Sequence, residues 1–293
     1  QAFEKACELK PGVADFHNNR GAALSALNRH GAAAQAYARV RELDPGYRGI
    51  HSSEIFAMRS ACIWPDPANP TDPLARAERD FIAKVREGGQ AFAPFVLLAV
   101  TDDLALQLSA ARLYTQIKYP PARQPLWRGQ RYAHERLRVA YLSADFHSHA
   151  TAYLMAELFE LHDRERFEWW GVSFGPSDRS AMRARLERAF DHFLDVRECT
   201  DLEVAQRLHA LEIDIAVDLK GFTRDCRPGI LAHRPAPMQV SYLGFPGTMG
   251  SPYIDAIIAD PVVIPPEHDR HYSERVIRLP HCYQVNDRHR VIA

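Results

Sequence analysis

The stretch LRVAYLSADFHSHATAY, residues 137 to 153, holds the pattern that decides the fold class. Its first six residues form a short apolar run, rich in β-branched and aromatic side chains, which is typical of a strand buried on both faces. From Tyr153 to Leu161 the apolar side chains have the spacing of one helix face. Asp145, His147 and His149 lie between the two, where the strand should end. Ligands of open α/β sheets bind at that edge, so we predict a functional site there.

Strand-like and helix-like segments continue to alternate after this stretch. The apolar runs that predict strands are 167–174, 193–196, 213–219, 238–243 and 254–260, and the patterns that predict helices are 178–190 and 201–211. Single helices between strands predict a parallel, doubly wound sheet, so residues 136–283 are expected to form one Rossmann-like lobe of α/β class. Neither a GxGxxG nor a GxxxxGK motif occurs, so the usual dinucleotide and P-loop interpretations have no local support.

The first 47 residues contain an internal repeat. Glu8-Leu-Lys-Pro-Gly12 recurs as Glu42-Leu-Asp-Pro-Gly46, about 34 residues later, and this period resembles that of the tetratricopeptide repeat. A plain pair of antiparallel helices is the alternative. One repeat cannot bury its own faces, so we expect further repeats before it. Residues 48–135, with a Pro-rich connector at 65–73 and helices predicted at 74–86 and from Thr101, are interpreted as a helical adaptor.

Composition excludes several classes of function. The chain has 36 Lys and Arg against 37 Asp and Glu, a balance that gives no support to nucleic-acid or membrane-surface binding. Its longest apolar run, near residues 95–100, is too short to span a bilayer. The five cysteines are scattered without a CxxC motif, which favours a reduced cytoplasmic protein. No HxxxH or HExxH motif occurs, and no metal is expected.

Two further loops belong with residues 144–151. Residues 220–224, KGFTR, and 244–250, GFPGTMG, each follow a predicted strand. Glycines in the second loop permit positive φ and let a ligand lie against bare backbone amides. We expect all three loops to meet on one edge of the sheet, and a side chain added at Gly244 to fill space that a ligand needs.

The motifs in these loops resemble the catalytic region of the O-GlcNAc transferases. The matching segments are Asp145-Phe-x-x-His149-x-Thr151, Leu219-x-Gly-Phe-Thr223, Arg234-Pro-Ala-Pro-x-Gln239 and Tyr242-Leu-Gly-Phe-Pro-Gly-Thr-x-Gly250. In that family tetratricopeptide repeats precede a two-lobed GT-B catalytic region. The resemblance implies an inverting glycosyltransferase that moves N-acetylglucosamine from UDP-GlcNAc to Ser or Thr hydroxyls of proteins. It implies no cofactor and no metal, with UDP-GlcNAc as the donor substrate.

The resemblance also assigns site residues. It places Asp145 and His149 in the active centre, and it implies substrate-binding positions at Thr151, Phe222, Thr223, Leu243, Gly244, Phe245, Pro246, Gly247 and Thr248. This chain has Ala150 where the family often has Pro, and His147 where it often has Gly. We expect the side chains of Asp145 and His149 to leave the strand end rather than enter the core.

Several alternatives stay open. The imidazole of His149 has the ordinary pKa best suited to proton transfer at neutral pH, but Asp145 acting through water, or the donor phosphate itself, could serve as the base. His149 could instead cap the next helix, and Asp145 could orient it. A close relative uses GDP-fucose, so a protein O-fucosyltransferase is one rival function, and a non-catalytic repeat scaffold is another.

The resemblance divides the site between two lobes. The nucleotide is expected on a second lobe after residue 283, with 284–293 as the start of the crossover to it, so residues 1–293 alone are expected to be inactive. The implied partners are that second lobe and acceptor proteins bound near the repeat and the cleft.

Overall fold

The computed structural model describes residues 1–66, 68–69 and 72–290. The chain forms two compact units, Gln1–Leu106 and the part from Gln107 onward. The predicted Pro-rich connector 65–73 and crossover 284–293 each include residues that lie outside this description. The predicted domain bounds at 47, 135 and 283 stay predictions.

The first unit is helical. Its helices are α1 (Ala2–Leu9), α2 (Ala14–Ala26), α3 (His30–Leu43), α4 (Ile50–Ser60), α5 (Pro73–Glu87) and the short α6 (Pro94–Leu97). Helices α2 and α3 pack so closely that a Cβ added to Gly21 would lie 2.5 Å from the ring of Tyr37. The small residues of the repeat therefore serve helix packing. None of the helices in the described ranges has the length and apolar character needed to cross a membrane.

The second unit is an α/β sheet with helices between its strands, and helix α7 leads into it from the end of the first unit. Its helices are α7 (Leu104–Lys118), α8 (Ala150–Leu161), α9 (Ala181–Ala189), α10 (Asp201–Ala210), α11 (Gly229–Ala232) and a 3-10 helix (Pro266–His271). Its strands are β1 (Leu137–Ser143), β2 (Phe167–Ser173), β3 (His192–Asp195), β4 (Ile215–Asp218), β5 (Met238–Tyr242), β6 (Ala256–Ala259) and β7 (Arg275–Arg278). The strands pair in the order β3-β2-β1-β4-β5-β6-β7, and all the pairs are parallel. The predicted doubly wound α/β lobe is confirmed.

Capping side chains explain where the helix bounds differ from the predicted ones. Helix α8 begins at Ala150, before the predicted Tyr153, because His149 caps it. Helix α9 begins at Ala181 rather than at 178, because the Ser180 hydroxyl accepts from the N–H of Arg183. Helix α7 begins at Leu104, and the carboxylate of Asp103 accepts from its first turn. Apolar periodicity locates these helices, whereas single polar side chains set their ends.

The motif at residues 234–239 holds the end of the sheet together. Arg234 Nη1 and Gln239 Nε2 both donate to the carbonyl of Tyr253, at 3.1 and 2.6 Å. Gln239 is fully buried and also donates to the carbonyl of Leu231. These side chains satisfy buried backbone acceptors, so they have a structural role.

Candidate functional site

Three loops emerge at the same edge of the sheet. Strands β1, β4 and β5 are neighbours in the sheet and run parallel, so the loops that follow them leave from one edge. The register places Leu142 of β1 beside Asp218 of β4, and Asp218 beside Ser241 of β5. The expected grouping of the predicted site loops therefore follows directly from the strand order.

Asp145 and Lys220 form a buried ion pair at this edge. The Nζ of Lys220 lies 2.7 Å from Oδ2 of Asp145, and the two residues are only 4% and 6% exposed. The expectation that the Asp145 side chain stays out of the core is therefore wrong, because Lys220 provides the charge partner that makes burial of a carboxylate possible. Sequence reasoning singled out Asp145 and missed its partner.

Thr151 and His149 both lie close to Oδ2 of Asp145, the oxygen that also pairs with Lys220. Thr151 Oγ1 donates to Asp145 Oδ2 at 3.3 Å, and His149 Nδ1 lies 3.5 Å from that atom. The His149 side chain is 42% exposed. Burial lowers the pKa of His149 below its ordinary value; Asp145 opposes this effect, while Lys220 and His147 add to it. The site thus offers a half-exposed imidazole that is neutral at neutral pH and lies next to the carboxylate of Asp145.

His149 also caps helix α8. Its Nδ1 accepts a hydrogen bond of 3.2 Å from the backbone N–H of Thr151. In this arrangement a neutral imidazole carries its proton on Nε2. The other tautomer, with Nδ1–H directed at Asp145, leaves the lone pair of Nε2 free to take a proton. The cap requires the lone pair of Nδ1, whereas the base requires a proton on Nδ1. The two interpretations of His149 therefore differ in the protonation of this one nitrogen.

The loop after β4 is folded around Asp218. The carboxylate of Asp218 is buried and accepts from the N–H groups of Lys220 and Gly221, at 2.9 and 3.0 Å. Thr223 Oγ1 donates to the carbonyl of Lys220, which closes the turn. Phe222 is 6% exposed and lies edge-on to Phe245, with their ring centroids 5.5 Å apart. In this structure, then, Phe222 and Thr223 hold the loop.

The loop after β5 divides into exposed and buried residues. Leu243 has a φ of 66° and is bridged by a 2.8 Å hydrogen bond from Gly244 N–H to the carbonyl of Tyr242, which makes a strained γ-turn. Leu243 and Gly244 are partly exposed and Pro246 is exposed, whereas Phe245, Gly247 and Thr248 are buried. Thr248 Oγ1 donates to the buried carboxylate of Glu274 at 2.7 Å.

Gly244 has a structural reason for lacking a side chain. A Cβ at this position would lie 2.1 Å from the carbonyl oxygen of Leu219. An added side chain would therefore first collide with the backbone after β4, and the expectation that it would also fill ligand space stays a prediction. Of the predicted substrate-binding positions in this loop, Leu243, Gly244 and Pro246 are the accessible ones.

A cavity of about 540 Å³ opens at the carboxyl ends of β2 and β3, along the same edge. It is lined by Ser177, Arg179, Arg183, Glu187, Phe193, Asp195 and Arg197. Arg183 pairs with Glu187, Arg197 pairs with Asp195, and Arg183 also donates to the carbonyl of Phe146. Of the three arginines that line the cavity, Arg183 and Arg197 are thus paired with carboxylates. The hydrogen bond from Arg183 to Phe146 also connects the cavity to the loop that contains Asp145. No group of three or more His, Cys, Asp or Glu side chains within the described ranges is placed to hold a metal ion.

Comparisons with known proteins point to one family. Residues 117–293 match the model of glycosyl transferase family 41. The probable UDP-N-acetylglucosamine–peptide N-acetylglucosaminyltransferase SEC of Arabidopsis thaliana is 36% identical over 204 residues, which cover 66% of this chain and 21% of that protein. The UDP-N-acetylglucosamine–peptide N-acetylglucosaminyltransferase of Caenorhabditis elegans is 34% identical over 155 residues, 52% of this chain and 13% of that protein. The chain thus spans about a fifth or less of the length of these relatives.

A solved structure shares the fold. A mutant of the Thermobaculum terrenum O-GlcNAc transferase matches with a TM-score of 0.65 and 24% identity, covering 97% of this chain and 54% of that one. At this identity the match shows the fold alone. The family match, in contrast, spans the sheet and the three loops described above.

Proposed function

The chain belongs to glycosyl transferase family 41, and on that premise we propose that the protein transfers N-acetylglucosamine from UDP-GlcNAc to Ser or Thr hydroxyls of proteins. The observation that carries the proposal is the half-exposed imidazole of His149, supported by the buried pair of Asp145 and Lys220. This cluster lies at the ligand-binding edge of the sheet, within the segment that matches the family.

The cluster suits proton transfer from an acceptor hydroxyl. The hydroxyl oxygen bonds to the anomeric carbon of the sugar from the face opposite UDP, the bond from that carbon to the diphosphate oxygen breaks, and its electron pair leaves with UDP. The hydroxyl proton passes to Nε2 of His149, with the Nδ1–H tautomer directed at Asp145. Asp145 is thereby assigned to orient the imidazole, because its own carboxylate is committed to Lys220 and Thr151.

The donor sugar is proposed to lie against Leu243, Gly244 and Pro246, the accessible part of the loop after β5. The UDP is assigned to a second lobe, and acceptor proteins are the proposed partners. Transfer without a metal and a cytoplasmic setting are further parts of the proposal, carried from the resemblance and from the unpaired cysteines.

A donor comparison tests the proposal. The full-length protein is incubated with acceptor proteins and either labelled UDP-GlcNAc or labelled GDP-fucose, with and without EDTA, and His149→Asn serves as the inactive control. Transfer from UDP-GlcNAc that survives EDTA is expected. Transfer from GDP-fucose alone would assign the rival O-fucosyltransferase activity, and binding of partner proteins without transfer from either donor would favour a scaffold.

A further inference from the structure

Lys220 is a buried cation that makes no contribution of its own to the proposed proton transfer. Its ammonium is committed to Asp145, and it is only 4% exposed, so it is not available to a diphosphate at the surface of the loop. The pair joins two strands, since Asp145 follows β1 and Lys220 follows β4. Lys220 therefore acts on the site through Asp145.

One carboxylate oxygen faces three groups. Oδ2 of Asp145 lies 2.7 Å from Lys220 Nζ, 3.3 Å from Thr151 Oγ1 and 3.5 Å from His149 Nδ1. A carboxylate this close to an imidazole favours the imidazolium form, and a cation on the same oxygen offsets that influence. The groups that face His149 are Asp145, Lys220 and His147, whose ring centroid is 5.6 Å away.

We propose that Lys220 is a positioning residue for the transfer reaction: by pairing with Asp145 it limits the negative charge that His149 faces, and so keeps the imidazole neutral and able to accept a proton. Asp145 can then fix the tautomer of His149 without trapping it as imidazolium. The inference rests on the proposed transferase function, but its central claim concerns protonation and is measurable without donor or acceptor.

An NMR titration of His149 tests that claim on the full-length protein. Its ring signals are assigned by their loss in His149→Asn. Lys220→Met keeps an unbranched side chain of similar length and removes the ammonium. It is expected to move the His149 titration midpoint upward by about one pH unit. In an assay of transfer, the acid limb of the kcat profile is expected to move upward with it. Arg227→Met is the matched control, because it removes a cation of the same loop whose partners are Asp201 and backbone carbonyls.

A second pair of variants covers the case in which Lys220→Met does not fold, since breaking a buried ion pair is strongly destabilising. Asp145→Asn combined with Lys220→Met removes both charges, and its His149 midpoint is expected to stay near the wild-type value. Asp145→Asn alone leaves the ammonium unopposed and is expected to lower the midpoint.

Two results would overturn the inference: an unchanged midpoint in folded Lys220→Met, or a midpoint in the double variant raised well above that of the wild type. A shifted midpoint in a protein that transfers no sugar would count against the proposed function and leave the effect of Lys220 on His149 standing.

Discussion

The glycine at position 244 lies directly against the carbonyl of Leu219, where a Cβ would stand 2.1 Å from the oxygen. The loops after β4 and β5 therefore touch backbone to backbone. This contact fixes the distance between Leu243, on one loop, and Lys220, on the other. Gly244 thus contributes to the packing that brings the two site loops together.

Gly244→Ala is expected to destabilise the protein, because backbone on both sides of the contact must move. Overpacking of this kind typically costs about 1–3 kcal/mol in the free energy of unfolding, which urea denaturation measures. Gly31→Ala is the control, since a Cβ there meets nothing within 4 Å, and alanine favours the helix that contains it. Equal stability of Gly244→Ala and wild type would contradict the close contact.

Thr248 is expected to matter for stability more than for sugar binding. Its hydroxyl donates to Glu274, whose carboxylate also accepts from the N–H of Met249, and burial raises the pKa of Glu274. Thr248→Val removes a donor from that buried carboxylate and is expected to lower the free energy of unfolding by about 1–3 kcal/mol. Thr248→Ser keeps the hydroxyl and should remain near wild type. A large rise in the KM for the donor in Thr248→Val, with stability unchanged, would restore Thr248 to the sugar pocket.

Local patterns were enough to predict the edge of the sheet and the loop that carries the site. Asp145 and His149 directly follow an apolar strand, so their place depends on neighbours in sequence alone. The ion pair of Asp145 with Lys220 could not be predicted in this way, because it joins residues that are 75 positions apart. Only the register of β1 against β4 brings them together. Nothing in the sequence around Lys220 distinguishes it from a solvent-exposed lysine in a loop.

The same limit applies to the family motifs. Gln239 and Thr248 occur in segments that resemble the catalytic region of the family, but their partners, Tyr253 and Glu274, are set by tertiary packing. A motif shows that certain residues occur together. It does not show which of them face a ligand and which hold the loop in place. Burial and hydrogen-bond partners separate the two groups.

Asp218 is expected to make stability depend on pH in mildly acidic solution. Burial raises its pKa to about 6, against the opposing effect of two backbone N–H donors and Lys220. Between the ordinary value of 3.8 and about 6, the folded state binds more protons at this site than the unfolded state does. The free energy of unfolding should therefore fall as pH rises through this window, and the contribution is complete only below it.

Asp218→Asn isolates that effect, because the amide does not titrate and keeps one acceptor oxygen for the loop. The difference in unfolding free energy, wild type minus variant, is expected to decrease from pH 4 to pH 7 in parallel urea denaturation series. Other titrating groups cancel in the difference. A flat difference would mean that the two N–H donors and Lys220 offset the effect of burial, and a difference that grows with pH would mean that they outweigh it.

His149 is the residue at which a structural and a chemical role can be separated. As the N-cap of α8, it accepts from the N–H of Thr151, and loss of such a cap costs about 1 kcal/mol of stability. If it is the proton acceptor, its loss should lower kcat by about 10²–10⁴-fold. His149→Ala removes both roles. His149→Asn restores a good cap and supplies no base at neutral pH.

The two variants should therefore differ in stability but agree in catalysis. His149→Asn is expected to unfold near the wild-type urea midpoint and His149→Ala below it, while both lose kcat to a similar extent on the full-length protein. The KM for the donor is expected to change less than kcat, because the imidazole acts on the acceptor hydroxyl. Recovery of kcat in His149→Asn to within a few-fold of wild type would show that the cap is what the reaction needs. The proton would then have to leave by another route, either through water to Asp145 or to the donor phosphate.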